Sequence, residues 1–480
     1  MLEAICEEIK KGVCKVKTHS KEVQKGDVFV ALPGTKRKGS EFIPEAIERG
    51  AKYIISSDKI ALNYKDQTKV FVCEDVFSVL GELAKHQYNT FDLPYLIGIT
   101  GTNGKTTVSY LLEHIFKKAG LSVGVIGTIS YRWGNKEKEA DLTTPGCLEI
   151  HKMLSEMKEK VDVVIMEVSS HALDQRRVEG IKFDMGIFTN LSQDHLDYHK
   201  DMKSYFNAKK RLFSKYLKPN GIGITNLDDF YGTQLMKDSL ATYGYTFFVE
   251  NFLNKDRIMF SEVILNSYNR LVLESEFKNK RWISTSSLVG RHNAYNLASA
   301  QLASLLFGLN HLSFSYLEDF KGVPGRLEKV YSNGLCDIYV DYAHTPDGLK
   351  NVLLALKELR YKRIILVFGC GGERDKKKRP KMGMIASKYA DFLIITSDNP
   401  RKEDPKSIIE DILAGVKDAD YLVEVDRKKA IKKAIELMQK GDAVLIAGKG
   451  HEKYQYIDGK KIRFNDKEVV LELLKSEFAR

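Results

Sequence analysis

The sequence predicts an α/β protein of three domains: a small N-terminal α/β domain, a central domain with a P-loop ATPase-like parallel sheet, and a C-terminal Rossmann-like domain. Its 480 residues exceed the roughly 100–200 of one domain. Apolar strand patterns alternate with helical patterns along most of the chain, which is typical of parallel sheets covered by helices. From these patterns we expect the domains at residues 1–93, 94–323 and 324–480.

The predicted elements follow this division. The N-terminal block carries strand patterns at residues 27–32 and 52–56 and helical patterns at 42–50 and 77–89. The central block has a strand at 95–100, a glycine turn, a helix with one apolar face, and strands at 123–126, 161–166 and 184–189. The third block has strands at 337–340, 363–368, 392–396, 421–425 and 443–447, separated by helical stretches, as in Rossmann-like domains.

Composition excludes several classes of protein. Lys and Arg number 75 against 64 Asp and Glu, a net charge of +11, and 43% of residues are hydrophobic. No apolar run approaches the roughly 18–20 residues of a membrane span, and the first residues lack a signal-peptide pattern, so we expect a cytoplasmic protein. The six cysteines form no C-x-x-C pair and are expected to be free thiols. The positive charge would suit nucleic acid or small anionic substrates equally well.

The segment TGTNGKTT, Thr100 to Thr107, lies between a predicted strand and a predicted helix. Its backbone N–H groups and the helix N-terminus can hold phosphates, Lys105 can reach the terminal phosphates, and the Thr106 hydroxyl can ligate Mg²⁺. Ile99 stands where the first glycine of G-x-x-x-x-G-K-[ST] would fall. The sequence therefore predicts a variant P-loop, with an ordinary tight turn as the alternative.

Two further loops follow predicted strands of the central domain. The segment EVSSH begins at Glu167, a possible metal ligand, although it could simply be a capped helix start. The segment TNLSQDHLDYH, residues 189–199, contains His195. Both loops are expected at the carboxyl edge of the sheet, beside the predicted nucleotide site.

Lys209 falls on the apolar stripe of the next predicted helix. A snorkelling lysine is one interpretation. The other is that burial lowers the amine pKa, so that the neutral amine adds CO₂ and becomes a carbamate ligand for a second Mg²⁺. Periodicity does not choose between them.

The third block carries four polar segments after strands: DYAHTPD from Asp341, GCGGERD from Gly369, DNPR from Asp398 and GKGHE from Gly448. Arg374 occupies the position where a dinucleotide-binding G-x-G-x-x-G needs glycine, which disfavours a dehydrogenase. Loops gathered at one sheet edge are typical of a substrate site, and a solvated charged edge is the alternative.

These segments, in this order, resemble the Mur ligase family, and the resemblance covers nearly the whole chain from about Thr18 to residue 466. It is nearest to the members that form the muramoyl tripeptide in peptidoglycan precursor synthesis, a step in cell-wall growth that bears on cell shape and cell division. It implies that the D-glutamate carboxylate of UDP-N-acetylmuramoyl-L-alanyl-D-glutamate attacks ATP to give an acyl phosphate. The amine of an incoming amino acid then displaces phosphate.

The resemblance also implies site residues. Catalysis would involve Lys105, Lys209, His195 and Glu167, with Mg²⁺ held by Thr106, Glu167, His195 and carbamylated Lys209. ATP would be bound by Gly101, Thr102, Asn103, Gly104, Lys105, Thr106, Thr107, Asn293, Asn296, Arg326, Asp341 and His344. The UDP-muramoyl peptide would be bound by Thr18, Ser20, Thr143, Thr144, Ser169, Gln175 and Arg177. The first-domain pattern departs from the family at His19-Ser20-Lys21 and at Lys38-Gly39.

The incoming amino acid would be bound by Arg374, Asp398, Asn399, Pro400, Arg401, Gly448 and Glu452. We expect meso-diaminopimelate, because the arginine of DNPR suits a second carboxylate that L-lysine lacks. The same reaction with L-lysine is the alternative. Arg401 could instead have a structural role, ion-paired to a neighbour such as Glu403 or Asp404.

Two other classes of function stay open on the sequence alone. A P-loop ATPase acting on nucleic acid would use the positive charge, but the Lys and Arg residues are dispersed and not interleaved with aromatics. A non-catalytic UDP-sugar-binding protein would need the same contacts without turnover. We expect a monomer that binds small molecules, with no nucleic-acid partner and no membrane span.

Overall fold

The structure, a computed structural model, describes residues 1–34, 37–251 and 254–478. These residues form two compact units, and each is built from separate stretches of the chain. The first unit comprises Met1–Thr100, Gly120–Gly186 and Asn207–Gly223. The second unit comprises Gly101–Ala119, Ile187–Phe206 and the chain from Ile224 onward. The boundaries at residues 93 and 323 expected from the sequence stay predictions.

The first unit begins with a four-stranded parallel sheet in the order β1-β2-β3-β4. Its elements are α1 (Leu2–Lys10), β1 (Val16–Lys17), β2 (Val28–Ala31), α2 (Ile43–Glu48), β3 (Tyr53–Ser56), β4 (Lys69–Val72) and α3 (Val76–Tyr88). Alternate residues of β2 and β3 pack on opposite faces, with Val28 and Ile55 toward α1 and α3 and Phe29 and Ile54 toward α2. Both faces are therefore buried, which explains the continuous apolar runs in these strands. We call residues 1–90 the β1–β4 layer.

The chain then alternates strands and helices, as the sequence predicts. The elements up to the second sheet's last helix are β5 (Tyr95–Thr100), α4 (Lys105–Lys118), β6 (Val123–Ile126), β7 (Ser130–Trp133), β8 (Lys136–Glu139), α5 (Cys147–Met157), β9 (Val163–Glu167), α6 (Ser170–Asp174), β10 (Phe183–Phe188), α7 (Leu196–His199), α8 (Met202–Ser214), β11 (Leu217–Asn226), α9 (Phe230–Lys237), β12 (Tyr243–Thr246), β13 (Ile258–Asn266), β14 (Leu271–Phe277), β15 (Lys280–Ser286) and α10 (Arg291–Phe307).

Within the first unit the strand order is β10-β5-β9-β6-β7-β8, and β9 pairs in parallel with both β5 and β6. Strands β7 and β8 extend this sheet as an antiparallel hairpin. Within the second unit β11, β12 and β13 are parallel, and β14 and β15 continue antiparallel. The mostly parallel sheet was expected, but these hairpins were not. All four residues of β8 are exposed, so they give no apolar signal in the sequence.

The C-terminal part of the second unit is a six-stranded sheet in the order β16-β17-β21-β18-β19-β20, parallel except for β16. Its elements are β16 (Glu328–Ser332), β17 (Asp337–Asp341), α11 (Pro346–Glu358), β18 (Arg363–Phe368), α12 (Lys378–Tyr389), β19 (Phe392–Ile395), α13 (Pro405–Leu413), β20 (Tyr421–Val423), α14 (Arg427–Leu437), β21 (Asp442–Ala447) and α15 (Asp466–Phe478). A separate hairpin, β22 (Tyr454–Ile457) with β23 (Lys460–Arg463), follows β21. Apolar cores cover both faces of this sheet, as expected for a Rossmann-like domain.

Short 3₁₀ helices complete the described elements. They span Ser20–Glu22, Gly39–Phe42, Lys59–Tyr64, Val249–Asn251 and His311–Asp319. No helix of the described residues combines the length and apolarity that crossing a membrane requires. All six cysteines are free thiols, as their spacing predicts.

A buried histidine joins the β1–β4 layer to the rest of the first unit. His151 of α5 is 0% exposed; its Nδ1 lies 2.5 Å from Thr90 Oγ1 and its Nε2 lies 3.0 Å from the Glu179 carbonyl. A carbonyl only accepts, so Nε2 carries the proton and Nδ1 accepts from the Thr90 hydroxyl. Burial lowers the pKa of His151 to about 4, although the bond to the Glu179 carbonyl opposes this shift.

We predict that His151 makes stability depend on pH between 5 and 7. Its folded pKa lies below its unfolded value, so stability is complete above about pH 6.5 and is lost as pH falls toward 4. Protonation of His151 should lower the free energy of unfolding by about 2 kcal/mol between pH 7 and pH 5. Denaturant unfolding of His151→Gln should show a pH dependence smaller by that amount, whereas Lys152→Gln, at an exposed position of the same helix, should keep the wild-type dependence. An unchanged slope in His151→Gln would contradict the assignment.

Candidate functional site

In the first unit, Glu167 ends β9 and its carboxylate is 1% exposed. Its Oε1 accepts the Thr128 N–H at 3.1 Å, and its Oε2 accepts the Thr128 hydroxyl at 2.8 Å. A Cβ at Gly127 would lie 2.4 Å from Glu167 Oε1, so a larger residue there would force the carboxylate to move. The Thr128 hydroxyl also lies 3.2 Å from the Thr143 hydroxyl. Glu167 and Thr143 are therefore brought together through Thr128, which the sequence reasoning missed.

The other predicted muramoyl-peptide residues of this unit form a connected group. The Thr144 hydroxyl donates to the Glu167 carbonyl at 2.8 Å, and the Ser169 N–H donates to Thr144 Oγ1 at 3.0 Å. Arg177 donates from Nη1 to the Thr144 carbonyl at 2.8 Å and from Nη2 to Gln175 Oε1 at 2.6 Å. Thr143, Thr144, Ser169, Gln175 and Arg177 thus line one edge, where β6 and β9 end.

The structure places the first-domain candidates elsewhere on the β1–β4 layer. Ser20 is buried and its hydroxyl donates to Glu45 Oε2 at 2.6 Å, while Thr18 is exposed just after β1. A cavity of about 490 Å³ lies beyond the carboxyl ends of β2 and β3. It is lined by Ala31, Leu32, Pro33, Lys38, Gly39, Ser40, Ser56, Ser57, Asp58 and Lys59. Ser20 is not among them, and the polar run after β3 was the sequence signal that could have located this cavity.

Lys209 of α8 is 1% exposed and is among the largest fully buried side chains of the described chain. Its neighbours on the same helix, Tyr205, Ala208 and Leu212, are also buried. The apolar stripe expected from the sequence is therefore the buried face of α8. Lys209 and Glu167 belong to the first unit, whereas Thr106 and His195 belong to the second.

In the second unit, the predicted phosphate loop follows β5 and leads into α4. Gly101 has φ +148° and Gly104 φ +88°, so both adopt backbone conformations that favour glycine. A Cβ at Gly104 would lie 2.3 Å from Asn296 Oδ1. Asn296 in turn donates to Asn293 Oδ1 at 2.9 Å, and Asn293 donates to the Val289 carbonyl at 2.8 Å. Asn296 is thus placed against the loop, and Asn293 holds Asn296.

Hydrogen bonds from the loop after β10 fix the phosphate loop. The Thr102 N–H donates to the Asn190 carbonyl at 2.9 Å, and the Asn103 N–H donates to Asn190 Oδ1 at 3.0 Å. The Thr189 hydroxyl donates to the Asn103 carbonyl at 2.6 Å, and Thr102 Oγ1 donates to the Ser192 carbonyl at 3.2 Å. Asn190 and Ser192 were inside a predicted segment but had no predicted role.

Lys105 bonds the phosphate loop directly, and His195 lies near it through Tyr205. Lys105 Nζ donates to the carbonyls of Gly101 and Thr102, both at 2.9 Å. His195 has φ +54°, and its ring lies 6.0 Å from that of Tyr205, whose hydroxyl is 3.1 Å from Thr102 Oγ1. Thr106 and Thr107 are buried in the first turn of α4.

The remaining nucleotide candidates surround Tyr342, which the sequence reasoning also left without a role. The Arg326 guanidinium lies over the Tyr342 ring at 4.8 Å, and the His344 ring lies 4.6 Å from it. Asp341 is buried, and its two carboxylate oxygens accept the Leu327 N–H at 2.5 Å and the Ala343 N–H at 2.7 Å. In this arrangement Asp341 fixes the turns that carry its neighbours.

The predicted amino-acid residues meet where β19 and β21 end. Asn399 Nδ2 donates to Glu452 Oε2 at 2.9 Å, and a Cβ at Gly448 would lie 2.4 Å from Asp398 Oδ2. Lys449, fully buried, donates to Glu452 Oε2 at 2.9 Å and to Asn399 Oδ1 at 3.2 Å. Burial raises the pKa of Asp398. Burial would also raise the pKa of Glu452, but Lys449 outweighs it and the pKa is lowered.

Arg401 is held by carbonyl groups. Its Nη1 donates to the Gly372 carbonyl at 2.7 Å and to the Asn399 carbonyl at 3.4 Å. Glu403 is ion-paired with Arg379 at 3.0 Å, and Asp404 caps α13 by accepting the Lys406 N–H. Across residues 1–34, 37–251 and 254–478, no ion pair of Arg401 with a carboxylate is found. The alternative in which Glu403 or Asp404 pairs with Arg401 therefore does not apply to this structure.

Pro400 and Arg374, two further predicted amino-acid-binding residues, differ in their exposure to solvent. Pro400 is buried, and its carbonyl would lie 2.0 Å from a Cβ at Gly372, so the DNPR and GCGGERD loops are in backbone contact. Arg374 is exposed on the second of these loops. Hairpin β22–β23 is bonded to this group of residues, because the Tyr456 N–H donates to Asn399 Oδ1 at 3.0 Å and Gln455 Nε2 donates to the Asp398 carbonyl at 2.6 Å. The sequence analysis predicted no element there.

Comparison with known families identifies three matching segments. Residues 13–88 match the model described as "Mur ligase family, catalytic domain", residues 99–304 the "Mur ligase middle domain", and residues 325–450 the "Mur ligase, glutamate ligase domain".

Curated relatives match over nearly their whole length. The UDP-N-acetylmuramoyl-L-alanyl-D-glutamate--2,6-diaminopimelate ligase of Lawsonia intracellularis is 49% identical over 98% of this chain and 98% of its own. The ligase of the same name from Aquifex aeolicus is 43% identical over 97% and 94%.

Solved structures agree with this assignment. A structure of a UDP-N-acetylmuramoyl-L-alanyl-D-glutamate--2,6-diaminopimelate ligase matches with a TM-score of 0.70 and 30% identity, covering 97% of this chain and 95% of that one. The MurF ligase of Thermotoga maritima in complex with ADP shares the fold, with a TM-score of 0.61 and 20% identity, covering 97% and 98%. With three family segments in order and relatives of up to 49% identity over almost the full length, the chain belongs to the Mur ligase family.

Proposed function

We propose that this chain is an ATP-dependent ligase that joins meso-2,6-diaminopimelate to UDP-N-acetylmuramoyl-L-alanyl-D-glutamate in peptidoglycan precursor synthesis. Membership of the Mur ligase family and the names of the full-length relatives support this proposal. The observation that carries the choice of amino acid is the arginine of the DNPR loop.

Arg401 offers a guanidinium without a carboxylate partner among the described residues, on the loop that also carries Asp398 and Asn399, and Asn399 bonds Glu452. A guanidinium binds a carboxylate through two parallel charge-assisted hydrogen bonds. Diaminopimelate carries an ammonium and a carboxylate at each end, whereas lysine lacks the second carboxylate. With Arg374 and Arg401 as partners for two carboxylates and Asp398 and Glu452 as partners for two ammonium groups, the predicted residues match diaminopimelate, whereas lysine would leave one arginine without an anion.

The reaction is supported by the chemistry of the loops. The backbone N–H groups of the glycine loop and Lys105 suit the phosphates of ATP. The glutamate carboxylate of the UDP-linked substrate attacks the γ-phosphorus, and ADP leaves with its electron pair. The amine of diaminopimelate then attacks the acyl carbon of the acyl phosphate, and inorganic phosphate leaves. Fixing both reactants on one protein replaces two encounters in solution by steps within a complex.

The family resemblance implies Mg²⁺, and the protein side chains would supply only some of its ligands. Within the described chain, no group of three or more His, Cys, Asp or Glu side chains is placed to hold a metal. Mg²⁺ normally takes one or two protein oxygens together with phosphate and water, and the Thr106 hydroxyl of the second unit and the Glu167 carboxylate of the first are each a suitable type of donor. The family resemblance adds His195 as a further ligand. When bound, the metal would offset negative charge on the phosphates.

We further propose that Lys209 carries a carbamate derived from CO₂. Its amine is buried on the apolar face of α8, and a carbamate would turn this cation into an oxygen ligand for a second Mg²⁺. We place the reaction in the cytoplasm, where ATP and nucleotide-linked precursors are found. We propose that the chain acts as a monomer on three small-molecule substrates, because all the predicted binding residues belong to it.

The first prediction concerns the reaction. ADP formation should require ATP, UDP-N-acetylmuramoyl-L-alanyl-D-glutamate and diaminopimelate together, and Lys105→Met should lower the rate at least about 10²-fold. Lys117→Met, which removes an exposed lysine of the same helix, should stay close to wild type. ADP formation stimulated by DNA, or binding of the UDP-linked substrate with no turnover, would refute the proposal.

The second prediction concerns the amino acid. kcat/KM for meso-diaminopimelate should exceed that for L-lysine by about 10³- to 10⁴-fold, because lysine leaves the guanidinium without an anion. Arg401→Met should lower kcat/KM for diaminopimelate about 10²-fold or more and change that for lysine less than about threefold. Lys402→Met removes the same charge at an exposed neighbouring position and serves as the control. Equal use of the two amino acids by the wild type would remove the basis of the assignment.

The third prediction concerns Lys209. Lys209→Ala should lose at least about 10²-fold in rate, and acetate should partly restore it by supplying a carboxylate in the space left by the side chain. Carbon-13 NMR of protein prepared with labelled bicarbonate should show a carbamate signal that is absent from Lys209→Ala. Lys203→Ala, at an exposed position of the same helix, should keep both the signal and the activity. Absence of the signal from an active wild-type protein would rule out the modification.

A further inference from the structure

Resting on the proposed function, we propose that Arg176 is a positioning residue for the UDP-linked substrate. It ties the β1–β4 layer to the loop that carries Gln175 and Arg177. In this way it sets the spacing between the place where the uridine end binds and the place where the muramoyl peptide binds. We call Arg176 with Asp75, Ser78 and Glu179 the Arg176 clamp.

The clamp is a dense set of short contacts within the first unit. Arg176 Nη1 lies 2.6 Å from Asp75 Oδ1, and Nη2 lies 2.9 Å from Asp75 Oδ2, so the pair is bidentate. Nη2 also donates to Ser78 Oγ at 2.9 Å, and Nε donates to Glu179 Oε2 at 2.8 Å. One guanidinium therefore joins the start of α3 to the loop after α6.

Bidentate geometry and a buried second partner, Glu179, distinguish the Arg176–Asp75 pair from an ordinary surface ion pair, although the Asp75 side chain is itself 46% exposed. The Arg176 side chain is 19% exposed and that of Glu179 only 9%. Hydrogen bonds from Arg176, more than those from Ser78, hold the pKa of Asp75 well below its usual range. Glu179 Oε2 also accepts hydrogen bonds from Lys215 Nζ at 3.1 Å and from the Tyr216 hydroxyl at 3.0 Å. Bidentate, partly buried pairs in a network are the ones that contribute measurably.

A second contact turns the clamp into an orientation device. Six residues along α3 from Asp75, a Cβ at Gly81 would lie 2.7 Å from the Gly180 N. Backbone therefore touches backbone at this point, and Gly180 has φ +81°. A single point of contact allows rotation about it, whereas contact at both Gly81 and Arg176 fixes the angle of α3 against the loop.

The position of Arg176 in the sequence links this angle to the predicted substrate residues. It lies between Gln175 and Arg177 and has φ +55°, a conformation that costs free energy for a residue other than glycine. Arg177 is held by the Thr144 carbonyl and by Gln175. A change in the angle between α3 and this loop would therefore change the distance from the β1–β4 layer to both neighbours, which stay bonded to each other and to Thr144. The sequence analysis assigned roles to these two neighbours and none to Arg176.

The angle set by the Arg176 clamp matters only for a substrate long enough to occupy both binding sites at once. We place the uridine end on the β1–β4 layer, at Ser20 or the cavity beyond β2 and β3, and the muramoyl peptide at Thr144, Ser169 and Arg177. A ligand that binds two sites at once gains affinity only when the spacing of the sites matches its own length. Loosening the clamp should weaken binding of the whole substrate and leave each half unaffected.

The experiment compares the whole substrate with its halves in Asp75→Asn and Arg176→Met. Asparagine keeps the N-cap of α3, because the Asp75 side chain accepts the Ser78 N–H at 3.1 Å and asparagine is an equally good cap. Calorimetry should show the Kd of UDP-N-acetylmuramoyl-L-alanyl-D-glutamate rising about 5- to 20-fold in both variants. The inhibition constant of UDP should stay within about twofold, as should kcat/KM for muramoyl-L-alanyl-D-glutamate lacking the nucleotide.

Matched variants separate positioning from general destabilisation. Lys136→Met breaks the exposed Lys136–Glu156 pair of the same unit and should change none of these values. The double variant Asp75→Asn with Arg176→Met should lose no more than Arg176→Met alone, because that single variant already removes the contact with Asp75. Arg176→Lys keeps the charge without the bidentate geometry and should give an intermediate Kd. If a single variant fails to fold, Arg176→Lys provides the same comparison.

Two results would overturn the proposal: equal losses for the whole substrate and the nucleotide-free substrate, or an unchanged Kd for the whole substrate. The calorimetric comparison needs no turnover. A wild-type protein that binds the UDP-linked substrate but forms no ADP would therefore count against the proposed reaction, while the clamp would still be tested by the Kd values.

Discussion

The geometry of parallel sheets governs every predicted binding loop in this protein. Neighbouring parallel strands end at the same edge, so the loops after them converge there even when they are far apart in sequence. Thr128 after β6 meets Glu167 at the end of β9, and Asn399 after β19 meets Glu452 after β21. Because the strands are buried on both faces, their apolar residues leave no room for polar groups before the strand ends. Chemistry is consequently confined to the carboxyl edges.

The loops at these edges are held in place by side chains that bond backbone groups. Asn190 fixes the phosphate loop by bonding Asn103, and Thr128 fixes Glu167 through both its N–H and its hydroxyl. Such contacts set the loop shape before any ligand arrives, which reduces the conformational entropy lost on binding. They also explain two glycines, because Gly104 and Gly127 lie where a Cβ would collide with Asn296 and Glu167.

Buried ion pairs serve the same purpose beneath the amino-acid pocket. Arg427 and Asp466 are both 0% exposed and are joined by two bonds of 2.8 Å, and Arg427 also donates to the Ala447 carbonyl, just before Gly448. Removing one partner of such a pair leaves an uncompensated buried charge, which typically costs about 3–5 kcal/mol. Lys449 is also fully buried and pairs with Glu452, whose side chain is 32% exposed. These pairs fix the loops that carry the predicted diaminopimelate residues, and the partners of the first pair are 39 residues apart.

The sequence alone determined the fold class, the parallel strands and the identity of the polar loops, because apolar periodicity and strand-end motifs are local properties of the chain. Residues 95–100 and 363–368 are strands in the structure with the predicted bounds. The sequence did not predict hairpin β7–β8, because its outer strand is exposed and has no apolar pattern. It also predicted no role for Thr128, Tyr342 or Lys449, because their partners are 30 or more residues away or follow no sequence pattern. Tertiary structure alone decided that Arg401 has carbonyl partners, that Ser20 faces Glu45, and that Arg176 joins two layers, because such contacts depend on which elements pack together.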